Sequence, residues 1–165
     1  MFENKTILVV VSKPTDELAL AGSIARWRQD VYILFLTDKD NIDKTSFDWN
    51  TAQRAIALLN IKDIFTLKID DKCDDILRVI LVKHMPQVIV THHYSDNEEA
   101  YDLVMRSKHK VDSVACFQPA LDIDPSKDPF KPNIFVDITK TLSKKIQAYE
   151  AYGLETDLPA AECYR

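Results

Sequence analysis

The chain has 165 residues, of which 46% are hydrophobic and 28% are charged, as is typical of a soluble globular protein. Its formal net charge of −5 argues against nucleic acid as a partner, because no basic excess is available to neutralise phosphates. No apolar window approaches the roughly 18 residues that a membrane helix requires, and the first residues lack the pattern of a signal peptide. We therefore predict a single domain over residues 1–165, located in the cytoplasm and without a membrane partner.

The predicted elements alternate between apolar strands and segments with helical periodicity. The first strand covers Thr6–Ser12, the first helix Asp16–Gln29 and the second strand Val31–Thr37, which is followed by a charged loop, Asp38–Lys44. The later elements, in chain order, are helix Asp48–Leu59, strand Ile64–Ile69, helix Asp74–His84, strand Val88–Thr91, helix Glu98–Lys108, strand Val111–Leu121, strand Ile134–Asp137 and helix Thr139–Tyr152. This alternation predicts an α/β protein with a mostly parallel sheet, in a Rossmann-like, three-layer α/β/α fold.

Cysteine and glycine usage narrow the possible functions. Cys73, Cys116 and Cys163 are odd in number and widely spaced, so we expect free thiols in a reducing compartment. Glycine occurs only at Gly22 and Gly153, which leaves no glycine-rich turn after the first strand for a dinucleotide pyrophosphate. We therefore do not expect NAD or FAD to bind by that route.

Polar side chains follow several of the predicted strands. In an open parallel sheet, ligands gather at the carboxyl ends of the strands, so these polar segments are expected to meet around one cleft. The candidate residues of this cleft are Lys13, Asp16, Glu17, Asp38, His92, His93, Asp96 and Tyr101.

Two of these polar segments carry a resemblance to a known family. The first strand ends in Ser12-Lys13-Pro14-Thr15-Asp16-Glu17, and the fourth ends in Thr91-His92, with Asp96-Asn97-Glu98-Glu99-Ala100-Tyr101 following. This arrangement resembles the zinc-dependent N-deacetylases of the LmbE/PIG-L family, whose motifs are His-Pro-Asp-Asp-Glu and Thr-His followed by Asp-x-His-Pro-Asp-His. Further similar segments are Leu36-Thr37-Asp38, Ala55–Ile61, Phe135–Ile138 and Ala161–Arg165. The resemblance spans nearly the whole chain and implies an LmbE-like fold.

The resemblance also implies an altered reaction centre. Lys13 falls on one histidine ligand of the family's zinc and Tyr101 on the other, so Asp16 is the only family ligand that is kept. Thr15 falls on the catalytic aspartate, and Glu98 falls on the histidine that assists the tetrahedral intermediate. A protonated lysine has no lone pair for a metal, and a threonine hydroxyl is not a general base near neutral pH. We therefore predict that zinc binding and amide hydrolysis are lost and that no cofactor is used.

Hypotheses of different classes remain open. One is a non-catalytic protein that binds a small, sugar-like molecule, or that acts as a subunit with a protein partner or as a homo-oligomer. The alternative is an active, metal-dependent N-deacetylase or amide hydrolase that acts on an N-acetylated sugar. Its zinc, or a harder ion such as Mn²⁺ or Mg²⁺, would be held by Asp16, His92, Asp96 and Glu98. A third is an assembly partner of a genuine deacetylase or sugar-modifying enzyme.

Several of the same side chains have structural interpretations. Thr15 is a good helix N-cap, and Asp16 and Glu17 in the first turn suit the positive end of the helix dipole. In a different hypothesis, the Lys13 ammonium takes the place of the metal and pairs with Asp16. We expect His92 to form hydrogen bonds inside the cleft, without sharing a metal ion with its neighbour in the chain.

Overall fold

The computed structural model describes residues 2–27, 30–37, 49–70, 72–108, 111–118, 130–156, 158 and 161–165. The strands of the main sheet are β1 (Ile7–Val11), β2 (Val31–Phe35), β3 (Asp63–Thr66), β4 (Val88–His92) and β5 (Ser113–Phe117). They are all parallel and lie in the order β3-β2-β1-β4-β5. β1 is therefore the central strand, and its carboxyl end lies between those of β2 and β4.

Helices cover both faces of this sheet. They are α1 (Ala21–Arg26), α2 (Trp49–Leu58), α3 (Cys73–His84), α4 (Glu98–Ser107) and α5 (Leu142–Ala151). α1, α2 and α5 pack together on one face, and α3 packs with α4 on the other. The predicted three-layer α/β fold is therefore confirmed. No helix in the described ranges has the length and apolar character needed to cross a membrane.

The apolar strands are buried on both faces, as their continuous hydrophobic runs predict. In β1, Ile7, Val9 and Val11 belong to the core beneath α1, α2 and α5. Leu8 and Val10 belong to the core beneath α3 and α4. Most predicted bounds agree with the structure to within a few residues. The fifth strand, Ser113–Phe117, is shorter than the predicted Val111–Leu121, of which residues 119–121 lie outside the described ranges.

A second, antiparallel ribbon joins β6 (Ile134–Asp137) to β7 (Ala161–Tyr164), and β7 is absent from the predicted elements. The Tyr164 ring is fully buried against Phe2 and Trp27, at centroid distances of 5.2 and 6.1 Å. Arg165 forms two backbone hydrogen bonds with Cys116, of 2.6 and 2.8 Å. The ribbon is therefore attached both to the hydrophobic core and to the β5 edge of the main sheet.

The first helix differs from its prediction. In place of one helix over Asp16–Gln29, a 3₁₀ segment, Asp16–Leu20, leads into the short helix α1, and residues 28–29 lie outside the described ranges. The Ala21 N–H still donates to the carbonyl of Leu18, as it does in a 3₁₀ turn. The change of helix type therefore occurs at the junction with α1.

A buried ion pair explains this junction. The Glu162 carboxylate accepts hydrogen bonds from the N–H groups of Gly22 and Ser23, at 2.9 and 2.8 Å. In a continuous α-helix those N–H groups would donate to carbonyls four residues earlier. One of those carbonyls, that of Ala19, instead accepts from the Lys145 ammonium at 3.0 Å, and this ammonium also contacts Glu162 at 2.7 Å. The ion pair thus provides hydrogen-bond partners for the N–H groups at the start of α1 and for a carbonyl of the preceding 3₁₀ segment.

Two positions around α1 and α5 need glycine. A Cβ added to Gly22 would lie 2.5 Å from Cδ1 and 2.8 Å from Cβ of Ile138, so only glycine fits there without movement. Gly153 has a φ of +70° and its N–H donates to Glu150, while Leu154 donates to Tyr149. This left-handed residue ends α5, as predicted.

Candidate functional site

The loop after β1 wraps around the carboxylate of Asp16, which is buried. The Ser12 hydroxyl donates to Oδ2 of Asp16 at 2.7 Å, and the backbone N–H of Lys13 donates to the same oxygen at 3.0 Å. The loop therefore points two hydrogen-bond donors at one carboxylate oxygen. Asp16 lies at the carboxyl end of the central strand, where the sequence predicts the cleft.

His92 ends the neighbouring strand β4, and its side chain meets this loop. Its Nε2 accepts a hydrogen bond from the Ser12 N–H at 3.2 Å, and it lies 3.3 Å from the Ser12 hydroxyl and 3.4 Å from Oδ2 of Asp16. Its Nδ1 is hydrogen-bonded to the carboxylate of Asp96. The ring is 1% exposed, so His92 forms these hydrogen bonds in the protein interior. We refer to Asp16, His92 and Asp96 together as the acidic histidine cluster.

The two carboxylates determine the charge of the imidazole. Burial disfavours the charged ring, but hydrogen bonds and charge interactions with Asp16 and Asp96 outweigh it, so the pKa of His92 is raised above 6.5. Nδ1 faces the carboxylate of Asp96, whereas Nε2 accepts from the Ser12 N–H and lies beside Asp16. The buried Asp16 therefore has the imidazole as a neighbour and is not buried without a polar partner.

Glu17 is directed into the interior and does not line the cleft opening. It is 0% exposed, its Oε1 accepts from the Tyr152 hydroxyl at 2.7 Å, and its Oε2 accepts from the Thr15 N–H at 2.8 Å. Burial raises its pKa to about 7, although the hydrogen bond from Tyr152 opposes the rise. Burial beside this carboxylate also raises the pKa of Tyr152. Glu17 is thus a buried link between the first loop and α5.

Two structural expectations for this loop are wrong. Thr15 has a φ of 91° and its side chain forms no capping hydrogen bond. Its backbone N–H donates to Glu17. A left-handed backbone is strained for a β-branched residue. The Lys13 side chain is exposed and forms no ion pair with Asp16, whose partners in the described part of the chain are a backbone N–H, a hydroxyl and an imidazole.

An aromatic cluster lies beside the end of β4. The ring of His93 contacts Tyr94 at a centroid distance of 4.4 Å and Phe130 at 5.3 Å, and Tyr94 meets Tyr101 edge-on at 5.9 Å. The hydroxyl of Ser95 is hydrogen-bonded to Nδ1 of His93 at 2.7 Å. His93 thus bonds to Ser95 while its chain neighbour bonds to two aspartates.

The remaining candidate residues are spread around the start of α4. Asn97 caps this helix by accepting from the Ala100 N–H at 2.8 Å, which leaves Glu98 exposed in the first turn. Tyr101 is half-buried and also lines an open groove between α4 and β5. Asp38, the last predicted residue of the cleft, lies outside the described residues.

These donors do not fit the zinc site that the resemblance implies. Such a site uses three protein ligands and leaves a position for water. Within the described ranges, no group of three or more His, Cys, Asp or Glu side chains could hold a metal ion. Asp16 and Asp96 approach different nitrogens of His92, and Glu98 is exposed, so the rearranged set of four donors is not assembled either.

Two residues of the site are absent from the predicted candidates. Ser12 contacts both Asp16 and His92, and its position as the first polar residue after an apolar strand is a signal that could have identified it. Tyr152 contacts Glu17 across 135 positions of sequence, and no local pattern around it indicates such a contact.

The fold is shared with solved deacetylase structures. A triple mutant of a deacetylase from the teicoplanin biosynthetic pathway superposes with a TM-score of 0.67 and 15% identity, covering 89% of this chain and 81% of its own. A deacetylase-bog complex from the biosynthesis pathway of teicoplanin superposes with a TM-score of 0.65 and 13% identity, covering 89% of this chain and 84% of its own. The zinc-inhibited form of teicoplanin deacetylase Orf2 superposes with a TM-score of 0.64 and 14% identity, covering 89% of this chain and 84% of its own.

The chain shares the fold of these solved structures. Sequence identities of 13–15% establish the architecture alone. No family model matches the chain, and no curated protein matches it.

Proposed function

We propose that this chain is a non-catalytic relative of the deacetylases that binds a small, sugar-like molecule at the carboxyl edge of its sheet. The observation that supports this proposal is the bonding of Asp16. Its Oδ2 accepts from Ser12 and Lys13 and faces His92, so the carboxylate expected to bind zinc is occupied by the protein itself.

The neighbouring positions give no replacement for the missing ligands. The exposed Lys13 ammonium offers no lone pair while it is protonated, and the Tyr101 phenol packs against Tyr94. Removing a second-shell partner already lowers metal affinity by about 10- to 100-fold, and the loss of two direct ligands is a larger change. A metal-activated water for amide hydrolysis would therefore have no site.

The ligand class follows from the surroundings of the acidic histidine cluster. Hydrogen-bonding groups at the end of β1 lie on one side, and the aromatic rings of Tyr94 and Tyr101 lie near the end of β4. Sugars present both hydroxyl groups and apolar C–H faces, which polar side chains and aromatic rings can contact. A neighbour in fold has been solved in complex with teicoplanin, which supports a sugar-like ligand for this chain.

Metal analysis tests the loss of zinc. Protein purified without chelators should contain well under one zinc per chain, and it should release no acetate from N-acetylglucosamine compounds. Teicoplanin deacetylase Orf2 on its own substrate provides the positive control for the acetate assay. Stoichiometric, tightly held metal together with acetate release would instead support the alternative, an active metal-dependent N-deacetylase.

Reversion tests whether the cleft keeps the geometry of its relatives. The triple variant Lys13→His, Thr15→Asp, Tyr101→His restores the two histidine ligands and the catalytic aspartate of the family motifs, and it should gain measurable zinc affinity in a competition titration with a chromogenic chelator. The matched control Lys13→His, Thr15→Asp retains Tyr101 and should bind much more weakly. Equal zinc binding by both variants would show that position 101 does not face the site.

Binding of a sugar is tested separately with N-acetylglucosamine as the probe. In an amide NMR titration, the largest chemical-shift changes are expected in the loops 12–17 and 93–101. Amides of the α3 helix provide the internal control, because α3 lies on a face of the sheet rather than at its carboxyl edge. Shifts confined to α3, or no shifts at millimolar sugar, would contradict the proposed ligand class.

A further inference from the structure

The outward face of α3 carries a row of exposed apolar side chains. Ile76 is 43% exposed, Val79 65%, Val82 60%, and Met85, directly after the helix, 74%. Single exposed hydrophobic residues are common on protein surfaces, but four along one helix form a continuous strip. The opposite side of the helix is already used, since Cys73, Leu77, Ile80 and Leu81 are buried in the core.

Helix geometry explains why these residues lie together. They follow one another at intervals of three residues, so each side chain lies about 60° around the helix axis from the previous one and the band covers about half a turn from Ile76 to Met85. A helix that is apolar on two opposite sides is typical of an element covered on both. In the part of the chain that the structure describes, α3 packs against the sheet and α4, and its opposite side is exposed.

Charged residues flank the strip with a pattern that complements itself. Asp75 precedes Val79 by four residues and Lys83 follows it by four, and both are exposed. Asp75 also lies 3.7 Å from Arg78 of the same helix, and this exposed pair contributes little by itself. In an antiparallel pair of these helices, residues at equal distances before and after the centre lie side by side. Asp75 then lies beside Lys83 of the other helix, whereas a parallel pair would place Asp75 beside Asp75.

We infer that α3 is a dimerisation surface that packs antiparallel against α3 of a second copy of this chain. The two-fold axis passes beside Val79, so the two Val79 side chains face each other. Ile76 of each copy then packs against Val82 of the other, and two symmetric Asp75–Lys83 ion pairs flank the apolar contact. Such a self-complementary patch is what a two-fold symmetric interface requires.

The area of the exposed α3 face determines the expected affinity of the dimer. The helix has 12 residues and is roughly 18 Å long. Stable dimers bury about 1,200–2,000 Å² in total, and one helix face supplies only part of that area. We therefore expect a reversible dimer with a dissociation constant in the micromolar range.

Sedimentation velocity of the full chain over a concentration series tests the dimer. The wild type should pass from monomer to dimer, and Val79→Lys should remain monomeric by placing two ammonium groups at the axis. Phe135→Lys is the matched control, because Phe135 is 67% exposed but lies on the β6–β7 ribbon, and it should dimerise like the wild type. A wild type that stays monomeric up to about 100 µM, well above micromolar dissociation constants, or a dimeric Val79→Lys, would overturn the inference.

Charge reversal tests the antiparallel arrangement. Asp75→Lys and Lys83→Glu should each weaken the dimer about three- to tenfold, because each replaces two attractive contacts with two repulsive ones. The double variant should recover most of the wild-type affinity, since the charges then pair in the reverse sense. These positions are eight residues apart within one helix, so recovery reports a contact between copies, and a double variant as weak as the singles would refute the arrangement.

Discussion

Replacing Glu17 by glutamine should make the protein more stable at alkaline pH. Glu17 is completely buried, and its pKa rises from 4.5 to about 7 on folding. The folded state therefore binds this proton more tightly than the unfolded state does. The free energy of unfolding then falls as the pH rises between these two values, because the native carboxyl is ionised without full solvation.

The size of the effect follows from the pKa difference. Each pKa unit corresponds to about 1.4 kcal/mol, so the shift at Glu17 costs the native state about 3 kcal/mol at pH 8 relative to pH 4. Glutamine stays neutral and keeps both partners, since its carbonyl can accept from Thr15 and its amide can donate to the Tyr152 oxygen. Glu17→Gln should therefore equal the wild type near pH 4 and exceed it at pH 8.

Urea unfolding at pH 4, 6 and 8 measures the difference. Glu150→Gln is the matched control, because it removes an exposed carboxylate from the same helix region as Tyr152 and should retain the wild-type pH dependence. The free energy of unfolding also falls with pH because of His92, and this happens in the wild type and in both variants. Its raised pKa stabilises the folded state below pH 6.5, and this stabilisation is lost above its native pKa. If Glu17→Gln and Glu150→Gln show the same pH dependence, the assignment to Glu17 is wrong.

Two further substitutions test how α1 is held. Lys145→Met should lower the free energy of unfolding by about 3–5 kcal/mol, because it leaves the Glu162 carboxylate buried without its ammonium partner. Adding Glu162→Gln should recover part of this loss in urea unfolding, and a lack of recovery would contradict the pairing. Gly22→Ala should cost about 1–3 kcal/mol through its contact with Ile138. Ile138→Val in the same chain should reduce that cost, and equal thermal stability of the wild type and Gly22→Ala would show that no contact is made.

The parallel sheet could be predicted because its central strands are mostly apolar. β1, β2 and β4 are buried at every position; β1 and β2 are uninterrupted hydrophobic runs, and β4 has three apolar residues before Thr91 and His92. β7 was missed because its four residues alternate in burial and include Glu162, whose partners lie on α1 and α5. A polar residue in so short a segment obscures the strand pattern.

The site was predicted only in outline. Asp16 and His92 were placed in one cleft because they follow neighbouring strands, and the structure brings them to 3.4 Å. The direction of each side chain could not be read from the sequence, because it depends on the backbone of the loop. The left-handed Thr15 is one such case, and with that backbone the Lys13 N–H, rather than its ammonium, meets Asp16.

The ribbon attachment has a consequence for the order of folding. Glu162 closes a loop of 140 residues when it meets Gly22, and the helix start that it completes directly follows the segment carrying Asp16 and Glu17. Contacts between such distant parts of a chain form slowly, because much conformational entropy is lost before they are made. We therefore expect the start of α1 to be completed late in folding, after the central strands have paired.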